Sequence, residues 1–172
     1  FYDFNDGSDG TLSNLRANVY EAYATTNLFG FATMNIGRQA LSYGSGVFIS
    51  KNSWSMDNRN TQDGMTFDIE NDFVDLTLGL NNQSNDEGTL AQESMWLNAS
   101  KSQDDWSMNL FYSSENVTIG DETSDDYTQM GLDFGYSAMG GSLDLNVSYN
   151  TTTFGEEESD MMDISGTYNV ND

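Results

Sequence analysis

Residues 130–149 read MGLDFGYSAMGGSLDLNVSY, and this stretch decides the fold. On either side of a short turn at Ala138–Ser142, every second residue is apolar and the residues between are Gly, Asp, Ser or Asn. A period of two is the side-chain period of a β-strand. The glycine pair at 140–141 is typical of a tight turn. The stretch therefore predicts a β-hairpin with one apolar face and one polar face.

The same period recurs along the chain and predicts further strands. They are expected at Leu15–Thr25, from Ala32 onward, and at Met65–Ile69, Val74–Leu80, Ser94–Ser100, Trp106–Ser113 and Met162–Val170. Two large aromatics, Trp96 and Phe111, fall on the polar face, where rings can pack or stack. In the first strands the charged residues Glu21 and Arg38 occupy positions that the alternating pattern assigns to apolar residues. Either a bulge shifts the register there, or both residues lie beyond the apolar band.

Short and long connections between these strands alternate. The short ones are Thr26–Gly30, Glu70–Asp72, Ser102–Asp105 and Ala138–Ser142, and the long ones are Leu41–Gly64, Asn82–Glu93, Gly120–Gln129 and Thr153–Asp160. A soluble β-sandwich has no reason to keep this order. A transmembrane β-barrel does, because one end carries tight periplasmic turns and the other carries long extracellular loops.

The polar face also favours a barrel. It consists of Asp, Asn, Ser, Thr and Gly, with almost no Lys or Glu. The solvent face of a soluble sheet usually carries long charged side chains that protect its edges, whereas short polar residues suit a narrow, wet interior. Tyr149 and Tyr168 close their alternating runs near strand ends, as the residues of an aromatic girdle do.

The 172 residues suffice for one domain. Phe1–Phe4 resembles the end of a strand, Asn5–Asn14 a loop, and nine strands follow. Bacterial single-chain barrels have an even number of strands, and they usually end on an aromatic residue that is absent here. The expected fold is an all-β, antiparallel up-and-down transmembrane β-barrel with about nine or ten strands in this chain. We expect a single domain over residues 1–172 that belongs to a larger barrel and is incomplete at both ends.

Composition narrows the function. The net charge is −23, from 28 acidic and 5 basic residues, so nucleic acid is not expected as a partner. The chain has no Cys and no His, which removes thiolate chemistry and the usual general base near neutral pH. We expect no enzymatic activity and no obligatory cofactor.

One ordered set of motifs resembles a known family. Val-Tyr-Glu-Ala-Tyr at 19–23 precedes Met-Asn-Ile-Gly-Arg-Gln-Ala-Leu-Ser-Tyr-Gly at 34–44, and Trp54, Arg59 and Asp-Gly-Met at 63–65 follow. The set resembles bacterial outer-membrane porins, particularly the alginate-export-like group, over roughly Val19–Leu80. The resemblance implies a Gram-negative outer-membrane pore for small polar solutes or saccharides, with a loop folded inward to narrow it. It also implies outer-membrane lipid and lipopolysaccharide as surroundings and a homo-oligomer or membrane complex as the assembly.

Carried over residue by residue, the resemblance places Arg38, Gln39, Tyr43 and Arg59 near the constriction. An ion pair with a neighbouring carboxylate on the barrel wall is the alternative role for Arg38. The chain departs from the family's pattern in its charge, because the predicted pore lining carries five carboxylates: Asp68, Asp75, Asp133, Asp144 and Asp163. Carboxylate rings favour cations, so a cation or a neutral solute is expected rather than alginate.

The acidic loops suggest two alternatives. The segment 3–10 offers Asp3, Asn5, Asp6 and Asp9 as oxygen ligands and two glycines for a tight loop, as a calcium site needs; a solvated acidic surface is the other interpretation. A secreted, calcium-binding β-sandwich that acts as an adhesion or glycan-binding module is therefore the alternative to a pore. A hydrolase with a carboxylate pair is a third hypothesis, although no pair stands out in the sequence.

Overall fold

A computed structural model describes residues 21–49, 61–84, 90–119, 122–123 and 126–169. The described residues form ten β-strands. They are β1 (Ala22–Leu28), β2 (Ala32–Ala40), β3 (Thr61–Ile69), β4 (Asp75–Ser84), β5 (Leu90–Gln103), β6 (Trp106–Ile119), β7 (Glu122–Thr123), β8 (Tyr127–Ala138), β9 (Leu143–Phe154) and β10 (Glu157–Tyr168). One 3₁₀ turn at Met139–Gly141 joins β8 to β9.

All ten strands belong to one antiparallel sheet. Its order is β1-β2-β3-β4-β5-β6-β8-β9-β10, and the short β7 pairs beside β6. Each long strand is therefore hydrogen-bonded to its neighbours in the chain, as expected for an up-and-down meander. The all-β, antiparallel up-and-down prediction is confirmed for the described residues. Whether the sheet belongs to a closed membrane barrel remains a prediction.

None of the helical segments in the described part of the chain is long and apolar enough to cross a membrane.

The connections differ from the predicted pattern at one end of the sheet. The predicted long loop Thr153–Asp160 is wrong, because Phe154 pairs with Glu157 across a two-residue turn at Gly155 and Glu156. The β-branched run Thr151–Thr153 favours extended backbone, and Gly155 accepts the positive φ of 58° that the turn requires. The predicted loop Asn82–Glu93 is also too long, since β4 continues to Ser84 and β5 begins at Leu90.

The two faces of the sheet have opposite character. The apolar face carries Leu78, Leu97, Leu110, Leu132 and Leu145, and these side chains are each about 40% exposed. The polar face carries the buried side chains Thr66, Trp96, Asn98, Phe111 and Asn150. Trp96 is 1% exposed and Leu132 is 45% exposed, so the burial pattern is the reverse of that of a soluble sheet.

Candidate functional site

The segment after β2 lies against the polar face. Residues 41–49 leave the strand and turn back on themselves, with the Tyr43 amide donating to the Ile49 carbonyl at 3.1 Å and the Gly46 amide donating to the Tyr43 carbonyl at 2.9 Å. Gly44 and Gly46 have φ values of 53° and 76°, a conformation that glycine adopts without strain. We call residues 41–49 the inner loop.

Aromatic side chains anchor the inner loop to β5 and β6. Tyr43 and Phe48 both stack on Phe111, with ring centroids 5.8 and 5.7 Å apart. The Trp96 indole donates a hydrogen bond to the Tyr43 hydroxyl at 3.1 Å. Ile49, Trp96 and Phe111 are the buried members of this cluster. A small core therefore lies between the loop and the polar face, on the side of the sheet where water-facing groups were expected.

Two glycines make room for these rings. Gly79 lies beneath Trp96, and a Cβ atom at position 79 would overlap the indole. Gly131 lies beneath Phe48, whose ring would be 3.1 Å from a Cβ atom at position 131. Both glycines therefore allow an aromatic ring to lie close to the backbone of a strand, and neither serves as a turn residue.

Polar contacts hold the tip of the inner loop. The Ser45 amide donates to Asp133 Oδ2 at 2.8 Å, which ties the loop to β8. Gly44 lies directly on Asp133 and Asn109, where any larger residue would collide with both side chains. Asn109 in turn donates to Asn98 Oδ1 at 2.7 Å. The tip of the inner loop thus contacts polar side chains from three strands, Asn98 of β5, Asn109 of β6 and Asp133 of β8, through direct contacts and hydrogen bonds.

A second polar network lies on β2, β3 and β4. Asp68 accepts hydrogen bonds from Asn35 Nδ2 at 2.9 Å and from the Thr77 hydroxyl at 2.7 Å. Thr66 donates to Gln39 Oε1 at 3.2 Å, and both side chains are almost fully buried. Since Asp68 is held by two donors, it is a rigid negative group on the polar face.

The structure separates the residues predicted for the constriction. Gln39 and Tyr43 lie on the polar side, and so do all five carboxylates predicted to line a pore. Arg38 lies on the apolar side, in phase with Ile36, and forms a two-pronged ion pair with Asp63, Nε to Oδ1 at 2.7 Å and Nη2 to Oδ2 at 2.5 Å. The side-chain phase is unbroken between Ile36 and Arg38, so no bulge shifts the register there. Arg59 and the calcium candidates Asp3, Asn5, Asp6 and Asp9 lie outside the described residues.

A polar cavity of about 700 Å³ opens beside the tip of the inner loop. Its lining includes Tyr43, Asn98 and Asn109 together with Asp75, Asp133 and Asp163. Asp75 and Asp163 are exposed. Within the described ranges, no group of three or more carboxylates is arranged to hold a metal ion.

Sequence reasoning assigned Trp96 and Phe111 to packing or stacking on the polar face, but it missed the inner loop as their partner and the role of Gly79. The sequence does mark the two aromatics, because each puts a large ring at a strand position where the alternating pattern otherwise has a polar residue. The alternation could not show that the inner loop packs on these rings, since the loop lies about fifty residues earlier in the chain. Nothing in the local pattern distinguishes Gly79 from the other strand glycines.

Burial of the inner loop changes the acidity of Tyr43. Removal from water raises the pKa of Tyr43 from 10.0 to about 12, and the Trp96 hydrogen bond only partly offsets this. An undocked loop has the ordinary pKa, so docking is independent of pH below 10 and weakens as the pH rises from 10 to about 12. Tyrosinate absorbance of the wild type minus that of Tyr43→Phe should show this late titration. A Tyr43 midpoint near pH 10 would contradict the docked geometry.

Comparison of the chain with protein-family models, curated proteins and solved structures finds no match. The sheet and its loop nevertheless define a class: an all-β chain with an exposed apolar sheet face and a polar face partly covered by its own loop. The function is therefore inferred from this geometry and from the charges on the polar face.

Proposed function

We propose that this chain forms part of a porin-like outer-membrane β-barrel that conducts small polar solutes. The observation that carries the proposal is the burial pattern of the sheet: the side chains of its apolar face are exposed, and those of its polar face are buried. Lipid would contact the apolar face, and the polar face with its inner loop would line the pore. Tight turns would face the periplasm and the inner loop would enter from the outer side.

The apolar face needs a cover. Exposed leucines, methionines and aromatics follow one another across β4, β5, β6, β8, β9 and β10, including Leu78, Met95, Leu110, Leu132 and Ile164. Soluble monomers rarely expose a contiguous apolar surface of this extent. The alternative β-sandwich would cover it with a second sheet, whereas the described residues form a single sheet. A bilayer supplies the cover without a second sheet.

The inner loop supports a channel rather than an empty scaffold. It carries Tyr43 and Phe48 over the polar face and is fixed there by stacking and by the Asp133 contact. A loop held in this way would narrow a pore at one level. The cavity beside it is lined by hydroxyl, amide and carboxylate groups, which can replace part of the hydration shell of a passing solute.

The charge on the polar face sets the expected selectivity. The five carboxylates Asp68, Asp75, Asp133, Asp144 and Asp163 share that face, while Arg38 lies on the other face and is paired with Asp63. Narrow pores with low-dielectric walls focus such a field. We therefore expect a preference for cations over anions, with neutral solutes also admitted.

Reversal potentials in planar bilayers under a salt gradient test this function. The wild type should prefer cations, and the double variant Asp75→Asn/Asp163→Asn should shift the reversal potential toward zero, because two exposed carboxylates leave the pore wall. Arg38→Ala should leave the selectivity unchanged, since its guanidinium faces away from the pore.

Two results would overturn the proposal. One is the absence of channels from protein that folds and inserts into the bilayer. The other is an anion preference that disappears in Arg38→Ala, which would restore an anionic saccharide as the solute and place Arg38 in the conduction path.

A further inference from the structure

The apolar face has a polar border at each end of β5. Glu93 and Lys101 both belong to that face by the alternation of the strand, and the residues of the face between them are Met95, Leu97 and Ala99. The two borders are eight residues apart in the chain, and Leu97 lies midway between them.

The same width recurs on β8 and β10. The borders are again eight residues apart, at Thr128 and Tyr136 on β8 and at Asp160 and Tyr168 on β10. The residues of the face between the borders are all apolar or glycine, and the midway residues are Leu132 and Ile164. Tyrosine suits the edge of an apolar layer, because its ring is apolar and its hydroxyl is polar.

The midpoints of the three strands are out of register. Following the paired residues across the sheet, Leu132 lies in the row of Ala99, which is two residues beyond Leu97. Ile164 lies in the row of Lys101, which is four residues beyond Leu97. Two steps between neighbouring strands separate β5 from β8, and four separate β5 from β10. The apolar band therefore moves by one residue for each strand crossed, and both of its borders move together.

This shift makes the band oblique to the hydrogen-bonded rows. One residue advances about 3.3 Å along a strand and neighbouring strands are about 4.8 Å apart, so the band slopes by about 35°. Its width is about 26 Å along the strands and about 22 Å perpendicular to the borders. The strands of transmembrane barrels tilt by about 35–45°, and their apolar band is about 25 Å tall. Slope and height both agree with these values.

We infer that a planar hydrocarbon layer about 22 Å thick covers this half of the apolar face, with the strands inclined by about 35° to its normal. A flat layer produces two parallel borders that cross the hydrogen-bonded rows, whereas a protein partner has no reason to end on two parallel lines. Because a typical hydrocarbon core is about 30 Å thick, the fitting partner is a thin bilayer with short acyl chains.

The inference rests on the proposed membrane function and deepens it by assigning depths to individual residues. Leu97, Leu132 and Ile164 lie at the midplane, although they are out of register with one another. Lys101 and Asp160 lie near the two opposite headgroup layers. Depth in the bilayer is thus set by position relative to the oblique borders and differs along a single hydrogen-bonded row.

Single-cysteine spin labelling of the full chain in dimyristoylphosphatidylcholine vesicles tests these depths. The chain has no cysteine of its own, so each variant carries one label. Labels at Leu97→Cys and Ile164→Cys should report equal depth, and both side chains are exposed, so the label should not disturb packing. Their accessibility ratio of oxygen to a water-soluble nickel chelate should be several-fold higher than at Lys101→Cys and Asp160→Cys. Ser165→Cys is the matched control next to Ile164, and its ratio should be low because it lies on the polar face.

Two outcomes would overturn the inference in different ways. Equal depths within a hydrogen-bonded row, for Leu97 with Asp160 and for Lys101 with Ile164, would overturn the oblique layer and leave the membrane proposal standing. Low ratios at every labelled position would overturn both, because water would then cover the apolar face.

Discussion

Replacing Leu132 with Arg should destabilise the protein in a bilayer by about 2–4 kcal/mol. Leu132 lies near the middle of β8 and is 45% exposed on the apolar face, between Leu110 of β6 and Tyr149 of β9. If that face contacts lipid, the guanidinium must enter the hydrocarbon. If the face contacts water, an exposed Leu→Arg change stays within about 0.5 kcal/mol of neutral. Urea titration of the folded protein in lipid vesicles separates the two outcomes.

Two further variants make the Leu132 result specific. Leu145→Arg lies on the same face near the turn end of β9, so it should cost less, about 0–1 kcal/mol, because the penalty falls toward the interface. Asn146→Arg adds the same side chain to the polar face and should have little effect. A flat profile, in which all three variants cost the same, would exclude a bilayer on the apolar face.

Replacing Trp96 with Ala should cost about 3–5 kcal/mol, the range for a large buried aromatic. The indole is 1% exposed, supports the Tyr43 hydroxyl and completes the core beneath the inner loop. Its loss leaves a void below the loop and removes one anchor. If the loop narrows a pore, the single-channel conductance should rise in the same variant, which a merely structural core would not produce.

Trp106→Ala is the control, since Trp106 alternates in step with Leu110 and therefore lies on the apolar face, opposite the face that the inner loop covers. It should leave the conductance unchanged. Gly79→Ala approaches the same site from below: its methyl group overlaps the indole, and overpacking of this kind costs about 1–3 kcal/mol. Conductance that stays at the wild-type level in both Trp96→Ala and Gly79→Ala would show that the loop does not narrow a pore.

The strands could be predicted from the sequence because their signal is local. Alternation over residues such as 130–149 needs only neighbours two positions apart, and adjacent strands in the chain are adjacent in the sheet. The prediction failed at the β9–β10 connection, where Glu156–Glu158 suggested a solvated loop. Those glutamates can remain in or beside a strand because β10 is fully exposed, so its carboxylates keep their water.

The candidate site depends on contacts that the local pattern does not contain. The family resemblance assigned Gln39 and Tyr43 to a constriction, which stays a prediction; the structure places both side chains on the polar side of the sheet. Arg38 lies on the apolar face, where the alternation of its strand had already placed it, and it pairs there with Asp63. The anchor residues Trp96 and Asp133 are joined to the inner loop only by the tertiary fold.

The sequence separation between the inner loop and the residues that hold it has a consequence for the order in which the chain folds. Trp96 is 53 residues from Tyr43, and Asp133 is 88 residues from Ser45. The sheet, in contrast, grows by hairpins whose strands are neighbours in the chain, and closing short loops costs less entropy than closing long ones. The inner loop cannot form its contacts with Trp96, Phe111 and Asp133 until β5, β6 and β8 have paired in register. Its docking is therefore a late event that reports on completion of the sheet.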